Sequence, residues 1–157
     1  LKGAYLMIIL ETQVAADWVD YNGHMNDAAY ARVFSQACEA LIDQIGLDEA
    51  GREHYGYTIY TLETHLCYRR EAHQDQPLTI DLTLLDSDAK RLHVFFAMLD
   101  DEANLLATSE QMLMGMKQAS GRPSPFPEAV TQRIAELPSA NRDAWPELAG
   151  RTIGIRR

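Results

Sequence analysis

Cysteine is scarce in this chain. Only Cys38 and Cys67 occur in 157 residues, so no disulfide framework staples the fold and no cysteine-rich metal cluster can form. Cys38 falls on an apolar helical stripe and Cys67 in a strand-like run. Both read as buried, reduced thiols of a cytoplasmic protein. The five histidines are scattered, with neither an HExxH nor an HxH pair; the common zinc spacings are missing and no metal is expected. Basic charge is short as well. Fourteen Lys and Arg stand against 23 Asp and Glu, a formal net charge of -9, which repels polyphosphate and argues against nucleic acid as a partner. An anionic ligand would need a local basic patch. Long hydrophobic runs are also lacking. The apolar part of the opening LKGAYLMIIL is too short to span a bilayer and no small-residue cleavage pattern follows it, so neither a membrane segment nor an export signal is expected.

What is present is ordinary globular material, 46% hydrophobic and 24% charged, in a length that suits one domain with a substantial core. The most informative stretch runs from Asp20 to Gly46, DYNGHMNDAAYARVFSQACEALIDQIG. From Tyr30 its apolar residues fall at Val33, Phe34, Ala37, Cys38, Leu41, Ile42 and Ile45, the stripe of an amphipathic helix. Asn26 suits the N-cap, Met25 can staple onto Tyr30, and Gly46 permits a left-handed stop. Ahead of the cap, Asp20, Asn22, His24, Asn26 and Asp27 crowd around Gly23. They stand where a helix presents unpaired N–H groups and the positive end of its dipole, a setting for turn and cap residues or for chemistry on a carbonyl.

The rest of the chain reads as strands. A first strand is expected from about Tyr5 to Val14, and the polar passage LDEAGREHYGY after Gly46 reads as a connecting loop. From Thr58 to Tyr68 the pattern alternates, with Thr58, Tyr60, Leu62, Thr64, Leu66 and Tyr68 on one face and Ile59, Thr61, Glu63, His65 and Cys67 on the other. Leu78–Leu85, Leu92–Leu99 and Leu105–Met116 follow, joined by the short turns DSDAK and DDEAN, which implies an antiparallel meander. The expected fold class is α+β, an antiparallel sheet of about five strands wrapped on one long central helix. The whole of 1–157 reads as a single domain, with 117–157 a C-terminal extension. In it GRPSPFP breaks the pattern, a short helix spans Glu128–Leu137 from Pro127, and an irregular tail ends in the mobile basic RTIGIRR.

A strand, the loop Asp-x-x-Gly-His-x-Asn, a long helix with an early Tyr and four more strands together resemble the hotdog-fold acyl-CoA thioesterases. The segment DYNGHMNDAAY resembles the signature of their 4-hydroxybenzoyl-CoA thioesterase-like branch, over roughly 5–116. The blocks DWVDYNGHMND, YTLETHLCY, DAKRLHVFF and LLATSEQML are similar to the thioesterases of carnitine breakdown that hydrolyse betainyl-CoA and are sometimes fused to carnitine 3-dehydrogenase. The tail after Lys117 is outside the resemblance. It implies hydrolysis of a short-chain acyl-CoA ester, with CoA as part of the substrate and no separate cofactor, in a homodimer or homotetramer whose sites lie between subunits.

By this resemblance Asp20 is the catalytic carboxylate, either general base on water or nucleophile, and the backbone N–H groups of Asp27 and Ala28 polarise the thioester. Many relatives carry Asn or His where Asp27 stands; a carboxylate pointing inward would weaken the oxyanion hole, whereas one pointing outward would cap the helix or help hold a cationic acyl group. His24 either orients the loop or water or is a structural hydrogen-bonder, and Asn26 is chiefly a cap. A quaternary ammonium acyl group is best held by aromatic faces and carboxylates, for which Trp18, Tyr21, Tyr60 and Glu63 are the nearest supply, Trp18 and Tyr60 being equally placed as core. Glu63, Thr64 and His65 are candidates for the acyl pocket or for a solvated sheet face. Arg69, Arg70, Lys90, Arg91 and Arg122 are the candidate contacts for CoA phosphates. Two other functions fit the same features. A hotdog enoyl-CoA hydratase pairs Asp and His in Asp-x-Asn-x-x-His, but His24 comes one residue early. A non-catalytic acyl-CoA-binding module would release no thiol.

Overall fold

The computed structural model describes residues 7–157. The first strand, β1, is Ile8–Gln13, shorter than the sequence suggests, and Tyr5 lies outside the described residues. After a 3-10 turn at Ala16–Trp18 comes the long helix α1, Asp27–Gln44. Its cap is Asn26, whose side chain accepts from the Ala29 N–H at 2.9 Å. The expected stripe is the buried one: Tyr30, Val33, Phe34, Ala37, Cys38, Leu41 and Ile45 are buried and Ile42 packs at its margin. Gly46, at φ +95°, ends it in the backbone region that glycine tolerates.

The passage after Gly46 is a helix, not a loop. Helix α2 spans Glu49–Tyr55, with the Asp48 carboxylate accepting from Gly51 and Gly56 in the left-handed region behind it. It carries no apolar stripe, so periodicity could not find it. It also packs so tightly on the preceding turn that a Cβ at Gly51 would overlap the Gly46 carbonyl oxygen. Strands β2 (Tyr57–Tyr68), β3 (Pro77–Ser87), β4 (Arg91–Leu99) and β5 (Leu105–Lys117) follow. They form an antiparallel sheet in the order β1-β3-β4-β5-β2, with β3 to β5 the expected meander. A two-residue strand β6, Arg122–Pro123, pairs with β5.

The sheet's inner face meets α1. Ile80, Leu82, Val94, Phe96, Met98 and Leu113 are fully buried there, and Phe34 of the helix lies 6.5 Å from Phe96, ring centre to ring centre. Strand β2 forms one edge of the sheet. Its alternation is broken by a bulge between Thr61 and Glu63, which inserts Leu62 and reverses the phase beyond it. Ile59, Thr61, Thr64 and Leu66 therefore face α1, whereas Glu63 and His65, opposite Met112 and Glu110, face outward. Uninterrupted alternation had put Thr61, Glu63 and His65 together.

The C-terminal extension differs most from expectation. The short helix α3 is Glu128–Ile134, with Pro127 at the cap position rather than inside the helix. The chain then crosses the outer face of the sheet as a strap. Ser139 pairs with Leu84 in parallel, the Trp145 ring stands edge-on to His93 at 5.3 Å, and the Gly150 N–H donates to Glu110 Oε1 at 2.7 Å. Glu110 Oε2 in turn lies 2.6 Å from His93 Nε2. An irregular, polar segment gave no periodic signal for this docking, because its anchors are single contacts to a face that exists only once the sheet forms.

Burial perturbs several acidic groups, two of them in the core strongly. It pushes the Cys38 thiol up to about 11, against a hydrogen bond from Thr61, and the Tyr57 hydroxyl to about 12. Both groups fold in their neutral forms, so their contribution is intact below the unfolded values of 9.0 and 10.0 and is lost as pH rises through the folded values. The melting temperature is expected to fall steadily between pH 9 and 11, and Cys38→Ala to flatten part of that fall, with the Cys38 share on the order of 2 kcal/mol. Thermal melts across that range check it.

Candidate active site

The DYNGHMN loop is a tight hairpin held against the start of α1. The Asp20 N–H donates to the His24 carbonyl at 2.8 Å and the Gly23 N–H to the Asp20 carbonyl at 2.9 Å. Asp20 Oδ1 accepts from the backbone N–H groups of Asn22 and His24 at 2.8 and 3.2 Å. Gly23 sits at φ +78°, where a side chain would be strained. Two clamps fix the hairpin to the fold: the Asn26 N–H and side-chain Nδ2 both donate to the Trp18 carbonyl at 3.0 and 2.8 Å, and the Met25 N–H donates to the Ala72 carbonyl at 2.8 Å. Asn26 thus ties the loop to the rest of the chain with one end of its amide and caps α1 with the other.

This brings Asp20, Asn26, Asp27 and Ala28 onto one exposed ledge at the positive end of the helix. The Ala28 N–H, expected to polarise a carbonyl, is held by Asp27 Oδ1 at 2.9 Å. The Asp27 carboxylate is turned back on the helix start, in the capping role of the alternatives the sequence left open. His24 turns the other way. Its Nδ1 lies 3.4 Å from Glu71 and its ring packs edge-on to His73 at 4.8 Å, so it joins the hairpin to the 71–76 loop and makes no side-chain pair with Asp20.

The remaining candidates are not gathered there. Tyr21 is 97% exposed, and Trp18 packs half-buried against the core. Tyr60 lies roughly 26 Å along β2 from Tyr68, at ~3.3 Å per residue; Tyr68 is the residue whose hydroxyl donates to the Asp27 carbonyl at 3.4 Å. No aromatic cage of Trp18, Tyr21 and Tyr60 exists within one chain. The bulge separates inward Thr64 from outward Glu63 and His65. Of the basic residues, Arg70 sits beside the site, its carbonyl accepting from the Tyr30 hydroxyl at 3.1 Å, whereas Arg69, whose N–H shares the Leu106 carbonyl with that of Arg70, lines the cavity under the strap. Arg122 pairs with Lys117, roughly 36 Å along β5 from Leu106 at ~3.3 Å per residue, and Lys90 and Arg91 share that far end. Arg91 is further engaged by Asp88 at 2.6 Å, a pairing that holds the exposed Asp88 carboxyl down at about 2.

Alongside the ledge a groove of about 710 Å³ runs between α1 and β2, lined by Phe34, Ser35, Cys38 and Glu39 of the helix and by Thr61, Thr64 and Gln111 of the sheet. Of the expected acyl-pocket residues only Thr64 lines it. Gln111 was overlooked, although a signal exists: Ser109 and Gln111 share the strand phase of Ala107 and Leu113, so polar side chains were due on the inner face. A second cavity of about 760 Å³ lies beneath the strap on the opposite face and includes Arg69 and Asp81. Asp81 is structural there; burial raises its carboxyl, which accepts from the Met7 N–H.

A curled antiparallel sheet around one helix, with a carboxylate loop at the helix start, is the frame of an acyl-thioester site. The chain belongs to the thioesterase-like superfamily, whose family profile matches residues 14–134, and its α+β fold is the hotdog fold. Among curated proteins it is 42% identical to a betainyl-CoA thioesterase of Pseudomonas aeruginosa over 92% of both chains. It is 39% identical to an L-carnitine dehydrogenase/betainyl-CoA thioesterase of Rhizobium meliloti, matching 95% of this chain but 30% of that longer protein. Among solved structures, a Staphylococcus aureus protein in complex with CoA superposes with a TM-score of 0.88 at 33% identity, covering 98% of this chain and 97% of that one.

Removing the Asn26 side chain should uncap the helix and release the loop together. Asn26→Ala is expected to cost about 1–2 kcal/mol, the upper range for a lost N-cap, measured as a lower denaturation midpoint at unchanged slope.

Proposed function

We propose that this protein hydrolyses betainyl-CoA to betaine and CoA. The observation that carries this reading is the Asp20 carboxylate, held by its own loop on the ledge where α1 begins; the 42% identity to a betainyl-CoA thioesterase supports the choice of acyl group. The thioester carbonyl would sit over the helix start. There the dipole and the N–H groups of Asp27 and Ala28 stabilise the developing oxyanion, about 3 kcal/mol per well-placed donor. For Ala28 to take part, the Asp27 carboxylate must swing off its N–H, so Asp27 gates the donor it now caps. Asp20 Oδ1 is held by two backbone N–H groups, which leaves Oδ2 for the reaction. As general base it takes a proton from water while the water oxygen bonds to the carbonyl carbon; the C–S bond then breaks and the thiolate leaves, collecting that proton. As nucleophile its oxygen bonds to the carbonyl carbon as the C–S bond breaks and the thiolate leaves, giving an anhydride; water then opens it to the free acid and the Asp20 carboxylate, and the thiolate takes up the proton that the water gives up.

The reading includes a homodimer. Strand β2 is a long sheet edge with Tyr60 53% and Leu62 52% exposed, and an exposed apolar edge is a template for strand pairing. A second copy there would bring the distant Lys90, Arg91 and Arg122 toward its neighbour's site, beside Arg70, as the CoA contacts. Unpaired Cys38 and Cys67 suit a reducing, cytoplasmic setting. A hydratase is disfavoured because His24 faces Glu71 and not Asp20.

Thiol release should therefore be seen with betainyl-CoA, and no loss of enoyl absorbance with crotonyl-CoA. Asp20→Asn keeps the Oδ1 acceptor of the loop and removes only the charge, so its turnover should fall at least about a hundredfold at an unchanged melting temperature; undiminished turnover would rule the role out. Leu62→Lys should convert the dimer to monomer in light scattering and reduce activity with it.

A further inference from the structure

Tyr68 closes β2 at the edge of the ledge. The bulge at Leu62 reverses the phase of the strand, so Tyr68 faces α1 with Thr64 and Leu66 instead of sharing a face with Tyr60. It remains 49% exposed. Its ring meets that of Tyr30 edge-on at 5.3 Å, a contact that covers at most one ring face. Its hydroxyl donates to the Asp27 carbonyl at 3.4 Å. The Ala28 nitrogen belongs to the same peptide unit, about 2.3 Å from that oxygen, so the phenol stands within roughly 6 Å of the donor expected to polarise the thioester. Burial first and the Asp27 carboxylate second raise the Tyr68 hydroxyl above its ordinary value; carboxylate and phenol lie in each other's field.

We propose that Asp27 and Tyr68 select a cationic acyl group, its ammonium seating on the open face of the Tyr68 ring and drawing the Asp27 carboxylate off the Ala28 N–H. This rests on the thioesterase reading above. In the structure Asp27 Oδ1 occupies that N–H at 2.9 Å, so the donor is blocked until something competes for the carboxylate. A quaternary ammonium does so. Its methyl hydrogens carry the positive charge, are attracted by carboxylate oxygens and lie favourably over an aromatic ring. The distances permit it. The nitrogen of a betainyl group stands about 2.5 Å from the thioester carbon, two bonds of ~1.5 Å away, so a carbonyl oxygen held at the helix start puts the ammonium in the same shell around Ala28 as the Tyr68 phenol. A hydrocarbon acyl group of equal shape leaves Asp27 on the Ala28 N–H, and an anionic one is repelled by it. The cation thus uncovers the donor that its own carbonyl needs, and selectivity is expressed in turnover as well as in binding.

The test compares two esters of equal shape, betainyl-CoA and 3,3-dimethylbutyryl-CoA, which differ only in replacing the quaternary nitrogen by carbon. The quantity read is the ratio of their kcat/KM values, charged over neutral, in the full chain and in Asp27→Ala, Tyr68→Leu and Tyr68→Phe. The wild type is expected to favour the charged ester. Asp27→Ala frees the Ala28 N–H while Asn26 still caps the helix. In it kcat on the neutral ester should rise, and the ratio should fall roughly tenfold. Tyr68→Leu should lower the ratio roughly fivefold, and Tyr68→Phe, which keeps the ring, should hold it within about twofold of wild type. A purely structural role would depress both rates and leave the ratio alone. A wild type that prefers the neutral ester, a neutral-ester kcat that does not rise in Asp27→Ala, or a ratio that the Leu and Phe variants leave alike overturns the selection while leaving hydrolysis standing. A wild type that releases thiol from neither ester overturns the hydrolase reading itself, and the selection with it.

Discussion

The two hydrogen bonds from Asn26 to the Trp18 carbonyl are the constraint on which the site depends. They close a hairpin whose far side carries Asp20, while the other end of the same side chain caps α1. A carboxylate and a helix dipole are thereby fixed at one place by backbone hydrogen bonds within a single local segment. Because these contacts are short in sequence, their closure costs little chain entropy. The ledge is therefore built almost wholly by residues 18–29 and only steadied by the sheet, through Ala72 and through Tyr30 and Tyr68, whose rings meet edge-on at 5.3 Å.

The sheet supplies what the loop lacks, which is depth. The ledge itself is exposed, and the groove beside it exists because β2 runs along α1 with the bulge at Leu62 turning Thr61 and Thr64 toward the helix together. Without that extra residue the groove wall would carry the Glu63 carboxylate and the His65 ring in place of Thr64. The same bulge sends Glu63 and His65 to the outer face, where the His93–Glu110 pair holds the strap. One inserted residue thus divides the polar groups of the sheet between the side that lines the groove and a side closed by the C-terminal chain.

Particular elements show where sequence reasoning succeeds. The stripe from Tyr30 to Ile45, the Asn26 cap and the Gly46 stop were legible because each is a local rule acting within one helix. The meander was legible because Asp88 and Asp100 organise tight turns by accepting N–H groups two to four residues on, a device written in the turn itself. Helix α2 escaped because its seven residues carry no apolar face, and the strap escaped because its partners are remote in the chain. Asp20, Asn26, Asp27 and Ala28 could be grouped from the string because they lie within one hairpin and the first turn of α1. Trp18, Tyr21 and Tyr60 were grouped by residue type alone, and distance along β2 separates them.

By itself the sequence determined the secondary elements that obey a period, the carboxylate loop at the start of the helix, and the resemblance to acyl-CoA thioesterases that those residues carry. Local hydrogen bonding and side-chain periodicity act over a few residues, and so they can be read from a string. Only the tertiary structure decided which face each side chain of β2 presents, that the Asp27 carboxylate covers the Ala28 N–H, and that Tyr68 meets the start of α1. Those outcomes depend on the phase of a bulge and on packing between segments far apart in the chain, where one inserted residue exchanges the inside of the sheet for the outside.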